Sequence, residues 1–283
     1  MNFKSMREKI SSETKLLGIF GNPVNHSLSP IMHNAWFAKY KLNCLYVAFD
    51  VLPKNLKTAV EAIRTLNILG VNVTVPHKVE VMKYLDSIDV AAKNIGSVNT
   101  IVNKNGKLLG FNTDWQGFIT DLKSKNINLK NKTVLVVGAG GAAKAILYAL
   151  KRLNVKRIYL TSRTFDNAKL IVKKYKNISV VDINEISVNF LENIDCFVNC
   201  STCGMKKEDK FPFKIKKFNK KIVFYDIIYN KETPFKKFAA KNKIKYFSGE
   251  GMLIYQGAVS FDKWTQIFPD TSKTLKLIKK FMR

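Results

Sequence analysis

The sequence has few acidic residues, few cysteines and no long apolar run. Only 21 of its 283 residues are Asp or Glu, against 48 Lys or Arg, so the formal net charge is +27. No apolar stretch approaches the roughly 20 residues of a membrane span, and the first residues lack the apolar core of a signal peptide. We therefore expect a globular cytoplasmic protein with no membrane partner.

The scarcity of acidic residues raises the possibility of nucleic-acid binding, because clustered Lys and Arg neutralise phosphates. Here the lysines are scattered over every segment, together with many Asn and Ile. This distribution favours a solvated basic surface, which would still attract anionic ligands. We expect no nucleic-acid partner, and a nucleic-acid binding protein with a vestigial cofactor domain remains a distant alternative.

Four cysteines and three histidines also limit the possible chemistry. Four cysteines do not suggest a disulfide framework in a chain of this size. Cys196, Cys200 and Cys203 are spaced as in some iron–sulfur sites, but Cys196 and Cys200 lie on a predicted strand. Residues four apart on a strand are about 13 Å from each other, too far to share a cluster. We expect buried thiols and, since the histidines lack ligand-like spacing, no metal.

The chain is organised around TVLVVGAGGAAKAILYALKRLN, residues 133–154. A β-branched run is followed by a glycine turn and then by apolar residues at helical spacing, which predicts a strand, a turn and a helix. Gly138, Gly140 and Ala143 give the G-x-G-x-x-A form of the dinucleotide fingerprint. The N–H groups at the helix start would hold the phosphates of a dinucleotide. A tight turn without ligand is the alternative.

Before this motif, strands alternate with helices, which predicts an N-terminal α/β domain of its own. Strands are predicted over 15–20, 44–51 and 70–76, with helices that start near Pro30 and Pro53. A further helix is predicted over VEVMKYLDSID, residues 79–89. Asn105-Gly106 predicts a tight hairpin that brings Asn99 and Asp114 close together.

Several polar side chains follow these strands, where open α/β sheets bind ligands. Ser27 and Ser29 would suit a carboxylate or a polyol, with helix capping by Ser29 as the alternative. Lys78 lies just past the third strand, in a position to project into a cleft. After the later strand over 157–161, Arg163 stands where an acidic residue would select NAD, so it favours NADP.

These motifs together resemble the shikimate dehydrogenase family, whose members reduce 3-dehydroshikimate with NADPH. The resemblance rests on GNPVNHSLSP, NVTVPHK, GSVNT, GFNTDWQGF, GAGGAA, NCSTCGM, YDIIYNKETPF and GEGMLIYQGAVSF, in this order and spacing. It covers nearly the whole chain from about Leu16. It implies a substrate-binding domain formed by 1–114 plus 249–283, a Rossmann-like NADP-binding domain over 115–248, and an active site in the cleft between them.

The resemblance also implies a role for individual residues. Lys78 and Asp114 would be the catalytic pair. The lysine ammonium would donate to the ketone oxygen, and the carboxylate would orient the ammonium and could share its proton, so acid and base are not assigned separately. The substrate would contact Ser27, Ser29, Thr74, Asn99, Tyr229 and Gln256. The cofactor would contact Gly138, Ala139, Gly140, Gly141, Ala142, Ser162, Arg163, Thr164, Ile227 and Gly249.

Two departures and one close relative limit what the resemblance implies. After the strand over 157–161, the family's common pattern is Asn-Arg-Thr and, after two further residues, a second basic residue. This chain has Ser162 in place of the Asn and Asn167 in place of the second basic residue, so modest NADP selectivity is expected. Quinate, which carries one more hydroxyl, is an alternative substrate, alone or besides shikimate. The chain is expected to act as a monomer or a homodimer.

Overall fold

The computed structural model describes residues 10–172, 177–186, 189–229 and 231–281. The chain divides into two compact units, the first formed by Met1–Gly117 with Ile254–Arg283 and the second by Phe118–Leu253. Each unit contains a six-stranded sheet with helices. The predicted two-domain α/β class is therefore confirmed, while the predicted domain boundaries and roles stay predictions.

The first sheet mixes parallel and antiparallel strands in the order β2-β1-β3-β5-β6-β4. β1 is parallel to β2 and β3, and β5 is antiparallel to β3 and β6. The elements before the unit boundary are β1 Lys15–Gly21, α1 Ser29–Lys39, β2 Cys44–Asp50, α2 Leu56–Thr65, β3 Gly70–Val73, β4 Ser87–Ile88, α3 Val90–Ile95, β5 Thr100–Lys104 and β6 Lys107–Phe111. Short 3₁₀ turns cover Pro53–Asn55 and Glu80–Tyr84.

The hairpin between β5 and β6 forms as predicted. Asn105 and Gly106 both have positive φ, +52° and +85°, which is the backbone conformation of a type I′ turn. Lys104 pairs with Lys107, and Thr100 at the far end pairs with Phe111. The residues just before β5 and just after β6 therefore lie side by side.

The predicted helix over residues 79–89 is wrong. The chain makes one 3₁₀ turn at Glu80–Tyr84 and then the short strand β4, which pairs with β6. The Asp86 side chain accepts hydrogen bonds from the Leu108 N–H and from Arg64, and so anchors the chain beside β6. The apolar spacing suits a helix, but these pairings with distant residues override it. Strand ends also moved: β3 ends at Val73 rather than residue 76.

The second sheet is entirely parallel, in the order β12-β11-β10-β7-β8-β9. Numbered within the unit, this is the 3-2-1-4-5-6 order of a Rossmann fold, with its switch point between β7 and β10. The elements are α4 Asp114–Ser124, which contains the unit boundary, β7 Thr133–Val137, α5 Gly141–Arg152, β8 Arg157–Thr161, α6 Phe165–Val172, β9 Ile178–Val180, a 3₁₀ turn Ile183–Glu185, β10 Cys196–Asn199, β11 Val223–Asp226, α7 Pro234–Lys241 and β12 Lys245–Ser248. Then α8 Glu250–Thr265 contains the second boundary, and α9 Thr274–Lys279 follows.

All four cysteines carry free thiols. Cys196 and Cys200 are buried within and just after β10, and burial raises the pKa of Cys196 to about 12. These two thiols therefore pack as small apolar side chains. Among the helices in the described parts of the chain, none combines the length and apolarity needed to cross a bilayer.

Candidate active site

Four loops meet at one edge of the first sheet. β1 and β3 run parallel, with Phe20 beside Val73, so the loops that follow both strands start at the same edge. β5 starts at this edge because Thr100 lies opposite Asn72, and β6 ends there because Phe111 lies opposite Thr100. The topology thus gathers residues 22–28, 74–78, 97–99 and 112–114.

Lys78 and Asp114 form a direct ion pair at this edge. The Lys78 Nζ lies 2.7 Å from Oδ2 of Asp114, and the two side chains are only 15% and 7% exposed. The turn that carries Lys78 is fixed by its own carbonyl, which accepts from the Val98 N–H at 2.7 Å, and by His77, whose Nε2 lies 2.7 Å from the Val51 carbonyl oxygen. Limited water access strengthens the attraction between the two charges.

The second oxygen of Asp114 binds a neutral donor. Asn99 Nδ2 lies 2.8 Å from Oδ1 of Asp114 and 3.2 Å from Oε1 of Gln256. Asn99 Oδ1 in turn accepts from the Thr113 N–H at 2.8 Å, and Asn112 Oδ1 accepts from the Asp114 N–H at 3.1 Å. The structure therefore brings four of the predicted residues, Lys78, Asp114, Asn99 and Gln256, into one hydrogen-bonded cluster.

A buried layer beneath this cluster was missed by sequence reasoning. Asn72, 5% exposed, lies with its Nδ2 3.1 Å from the Asn99 carbonyl oxygen, 3.2 Å from Thr100 Oγ1 and 3.1 Å from Ser260 Oγ. Tyr46 donates to Asn72 Oδ1 at 2.7 Å. The one available signal was a single Asn inside the buried strand GVNV, since a buried amide needs partners.

Ser27, Ser29 and Thr74 lie on the loops after β1 and β3. Ser29 is the first residue of α1, is 4% exposed, and makes no side-chain cap, so the capping alternative for Ser29 is wrong. Ser29 lies near the Tyr46 phenol: burial raises the pKa of Tyr46 well above its ordinary value, and the Ser29 side chain lowers that pKa in part. Ser27 Oγ accepts from the Ser29 N–H at 3.3 Å, and Thr74 is half-buried.

The glycine turn lies at the switch point of the second sheet. Gly138 has φ +110°, and a Cβ there would lie 2.8 Å from the backbone of Cys200 and Ser201. Gly140 is the N-cap of α5, and apart from its chain neighbours no atom of the described residues lies within 4 Å of the place that its Cβ would take. Ala143 is fully buried where α5 packs on the sheet. Gly138 is thus required by the fold, whereas Gly140 leaves open space before the helix N-terminus, where N–H groups lack intrahelical partners. The predicted Ala139, Gly141 and Ala142 are half-buried in the same turn.

Ser162, Arg163 and Thr164 follow β8, whose last residue Thr161 pairs with Val137 of β7. Arg163 and Thr164 are exposed and Ser162 is half-buried. The charge of Arg163 reaches Asp209, whose pKa is lowered mainly by hydrogen bonds from the Gly204 and Lys206 N–H groups and further by Arg163. Arg163 therefore stands at the carboxyl edge of the sheet, next to the glycine turn.

Ile227 and Tyr229 follow β11, and Gly249 follows β12. The Ile227 N–H donates to the Asn199 carbonyl at 3.0 Å, and a Cβ at Gly249 would overlap the Ile227 carbonyl. Burial raises the pKa of Tyr229 to about 12, so its phenol is a neutral hydrogen-bond donor. The predicted cofactor residues thus share one sheet edge of the second unit. Of the predicted substrate residues, only Tyr229 belongs to this unit.

Two family models match this chain. The shikimate dehydrogenase substrate binding domain matches residues 19–101, and the shikimate / quinate 5-dehydrogenase model matches residues 121–227. The shikimate dehydrogenase (NADP(+)) of Caldanaerobacter subterraneus is 43% identical over 267 residues, which cover 93% of this chain and 95% of that protein.

Solved structures agree with these matches. A shikimate dehydrogenase in complex with NADP⁺ superimposes with a TM-score of 0.89 at 38% identity, over 97% of this chain and 98% of that chain. Shikimate 5-dehydrogenase from Thermus thermophilus, in complex with NADP(H) and shikimate, gives a TM-score of 0.84 at 30% identity, over 94% and 99%.

Proposed function

This chain belongs to the shikimate dehydrogenase family, and we propose that it reduces 3-dehydroshikimate to shikimate with NADPH, reversibly. This reaction is a step of the shikimate pathway to chorismate and the aromatic amino acids. The observation that carries the proposal is the Lys78–Asp114 pair, 2.7 Å apart at the sheet edge where the substrate residues predicted in the first unit gather. Relatives named shikimate dehydrogenase (NADP(+)) match over most of the chain.

The residues of the second unit fit a dinucleotide phosphate. Gly140 leaves room before the N-terminus of α5, where the free N–H groups and the helix dipole would stabilise a bound phosphate. Arg163 has the charge and planar donor geometry for the additional phosphate of NADP. Ile227 and Gly249 would border the nicotinamide. When bound, the cofactor supplies the hydride.

Lys78 and Asp114 supply the proton chemistry in this proposal. As the ketone of 3-dehydroshikimate is reduced, negative charge develops on its oxygen, and the Lys78 ammonium stabilises that charge and donates a proton. Asp114 orients the ammonium and can share the proton, because one of its oxygens contacts Lys78 while Asn99 holds the other. The two groups act as a coupled pair.

The substrate carboxylate and hydroxyls would be bound by neutral donors. Ser27 and Ser29 are assigned to the carboxylate, and Thr74, Asn99 and Gln256 to the hydroxyls. Tyr229 would add its neutral phenol from the second unit. Such hydrogen bonds fix the orientation of the ring, so that the ketone oxygen rather than a hydroxyl faces Lys78.

Neither alternative function is favoured. Three relatives at 41–43% identity are named for shikimate rather than quinate, and an intact Lys78–Asp114 pair argues against a vestigial domain. We also infer a cytoplasmic location, because four free thiols suit a reducing compartment. A monomer or a homodimer stays a prediction.

The test is the oxidation of NADPH by the purified protein, followed by its absorbance, when 3-dehydroshikimate is added. We expect turnover, and a higher kcat/KM for shikimate than for quinate in the reverse direction. A higher kcat/KM for quinate would reassign the substrate. No turnover, together with tight nucleic-acid binding at physiological salt, would reject the proposed function.

A further inference from the structure

Asp226 is a buried carboxylate just before two predicted ligand contacts, and the proposed mechanism gives it no role. It is the last residue of β11 and is 1% exposed. It directly precedes Ile227 and lies three residues before Tyr229. We propose that Asp226 is a positioning residue, which sets the loops after β10 and β11 so that both cofactor and substrate can bind. The proposal rests on the proposed function.

Both oxygens of Asp226 are saturated with hydrogen bonds. Oδ1 accepts from Asn199 Nδ2 at 2.9 Å and from the Ile228 N–H at 3.0 Å. Oδ2 accepts from Thr233 Oγ1 at 2.7 Å and from the Tyr246 hydroxyl at 3.1 Å. The four donors come from four segments: the end of β10, the loop after β11, the start of α7 and β12. We call these five residues the Asp226 cluster.

Asn199 extends the cluster into the neighbouring loop. Its Oδ1 accepts from the Ser201 N–H at 3.0 Å and the Ser201 hydroxyl at 2.7 Å. Its carbonyl accepts from the Ile227 N–H at 3.0 Å. Asn199 is fully buried. The loop after β10, whose backbone lies against Gly138 of the glycine turn, is therefore tied to the loop that carries Ile227 and Tyr229.

The cluster also reaches Gly249. Tyr246 lies on β12, which ends just before Gly249, and the Gly249 backbone packs directly against the Ile227 carbonyl. Thr233 binds Asp226 and at the same time caps α7, because its Oγ1 accepts from the Lys236 N–H at 3.1 Å. The Asp226 side chain is thereby linked to Ile227 through Asn199, and to Gly249 through Tyr246 on β12.

A carboxylate suits this position because all its lone pairs accept hydrogen bonds. Burial raises the pKa of Asp226, whereas bonds from Thr233, Ile228, Asn199 and Tyr246 lower it. All four donors are neutral, so the group brings no ion-pair energy to offset its burial. A residue needed only to fill space here would be apolar. The Asp226 carboxylate instead accepts from four donors on four different segments and so holds those segments together.

The test compares Asp226→Ala with a matched control on the same sheet. Asp195 precedes β10 at the opposite edge and accepts from the Thr133 N–H at 2.9 Å, so Asp195→Ala also removes a carboxylate acceptor but lies away from the ligand loops. Well below the melting temperature, Asp226→Ala should raise KM for both NADPH and 3-dehydroshikimate by about 10-fold or more, since buried donors lose their acceptor. Asp195→Ala should lower Tm while both KM values stay within about twofold.

Rescue and amide exchange separate positioning from mere stability. Asp226→Asn keeps one oxygen for Asn199 and Ile228, and the Thr233 and Tyr246 hydroxyls can turn to accept from its amide; it should restore KM to within about threefold of the wild type. Hydrogen exchange of residues 200–205 and 227–229 should accelerate in Asp226→Ala and not in Asp195→Ala. If Asp226→Ala does not fold, Asn199→Ala replaces it, because this variant leaves Asp226 three of its four donors. The same rise in both KM values is then expected from Asn199→Ala.

Unchanged KM values and unchanged loop exchange in a folded Asp226→Ala, or equal KM changes in Asp195→Ala, would overturn the inference. An inactive wild-type enzyme would instead reject the proposed function. In that case the loop exchange and NADPH binding, measured by fluorescence, still decide whether Asp226 positions these loops.

Discussion

Asp114 binds the Lys78 ammonium with one carboxylate oxygen and accepts from Asn99 with the other. The carboxylate therefore orients the ammonium while Asn99 orients the carboxylate. Both side chains are nearly buried, and their loops are joined to the same sheet edge. The position of the ammonium is therefore set by the fold before any substrate arrives, as electrostatic catalysis requires.

Replacing Lys78 tests this arrangement most directly. Lys78→Ala should lower kcat by about 10² or more, because in the proposed mechanism the charge on the ketone oxygen, which the ammonium stabilises, develops mainly in the transition state. KM for 3-dehydroshikimate should change little, since an interaction absent from the ground state contributes little to binding. Steady-state kinetics measure both values, and circular dichroism verifies the fold.

Ser29→Ala is the contrasting variant for Lys78→Ala. If the Ser29 hydroxyl holds the substrate carboxylate throughout the reaction, KM should rise more than kcat falls.

A Lys78→Ala enzyme with near wild-type kcat would remove the catalytic assignment and leave Asp114, or a water, as the proton carrier.

Arg163 should determine the choice between the two nicotinamide cofactors. Arg163→Ala should weaken NADPH binding by about 10-fold or more, the effect of losing a charge-assisted hydrogen bond, and should leave NADH binding nearly unchanged. Titration calorimetry with each cofactor gives both constants. Arg157→Ala, which removes an exposed arginine that donates to Tyr159, is the control for loss of charge. Equal losses for both cofactors would refute the assigned role.

The two glycines of the turn should respond differently to a methyl group. Gly138→Ala places a Cβ at positive φ against the Cys200 backbone and should destabilise the fold by at least about 1–2 kcal/mol. The methyl group of Gly140→Ala would lie within 4 Å of no atom of the described part of the chain beyond its neighbours, so it should cost less than about 1 kcal/mol of stability and yet weaken NADPH binding. Urea unfolding and NADPH titration of both variants measure this contrast. Normal NADPH affinity in Gly140→Ala would place the phosphates elsewhere.

His33 should make the protein less stable in mild acid. Its ring is fully buried, stacks on Tyr46 with ring centroids 4.5 Å apart, and has no hydrogen-bond partner in the described part of the chain. Burial lowers its pKa from 6.5 to about 3. Well above pH 6.5 the ring is neutral in both the folded and the unfolded chain. Below pH 6.5 the ring takes up a proton in the unfolded chain but not in the folded chain, so the free energy of unfolding falls by about 2 kcal/mol from neutral pH to pH 5.

His33→Phe, which keeps the aromatic stacking, should flatten this part of the pH dependence. The free energy of unfolding, measured in urea at pH 7 and pH 5, gives the difference. Met32→Ala shrinks a neighbouring buried side chain without removing a titratable group, so its stability should fall by the same amount at both pH values. An unchanged pH dependence in His33→Phe would assign the acid sensitivity to other groups.

Local patterns predicted the parts of the molecule that local interactions determine. The glycine turn between β7 and α5 and the Asn105-Gly106 hairpin depend on backbone conformations that few residues adopt, so sequence alone identified both. The helix predicted over residues 79–89 failed because Asp86 binds Leu108 and Arg64, which no local pattern reveals. Asn72 was missed for the same reason, because its partner Ser260 lies 188 positions further along the chain. Asp226 was missed although Ile228 and Thr233 are close in sequence, because no local pattern shows that Asn199 and Tyr246 also donate to it.

The first unit is completed by residues 254–283, which are translated after the whole of the second unit. Asn72 lies 188 positions before Ser260, and Trp264 donates to the Ile101 carbonyl on β5. During synthesis the contacts that Asn72 and Ile101 make with α8 can therefore form only after the second unit has been translated. The second unit, whose chain is continuous, can meanwhile fold as it emerges. The first unit, although most of its residues precede the second in the chain, can thus be completed only after the second has been translated.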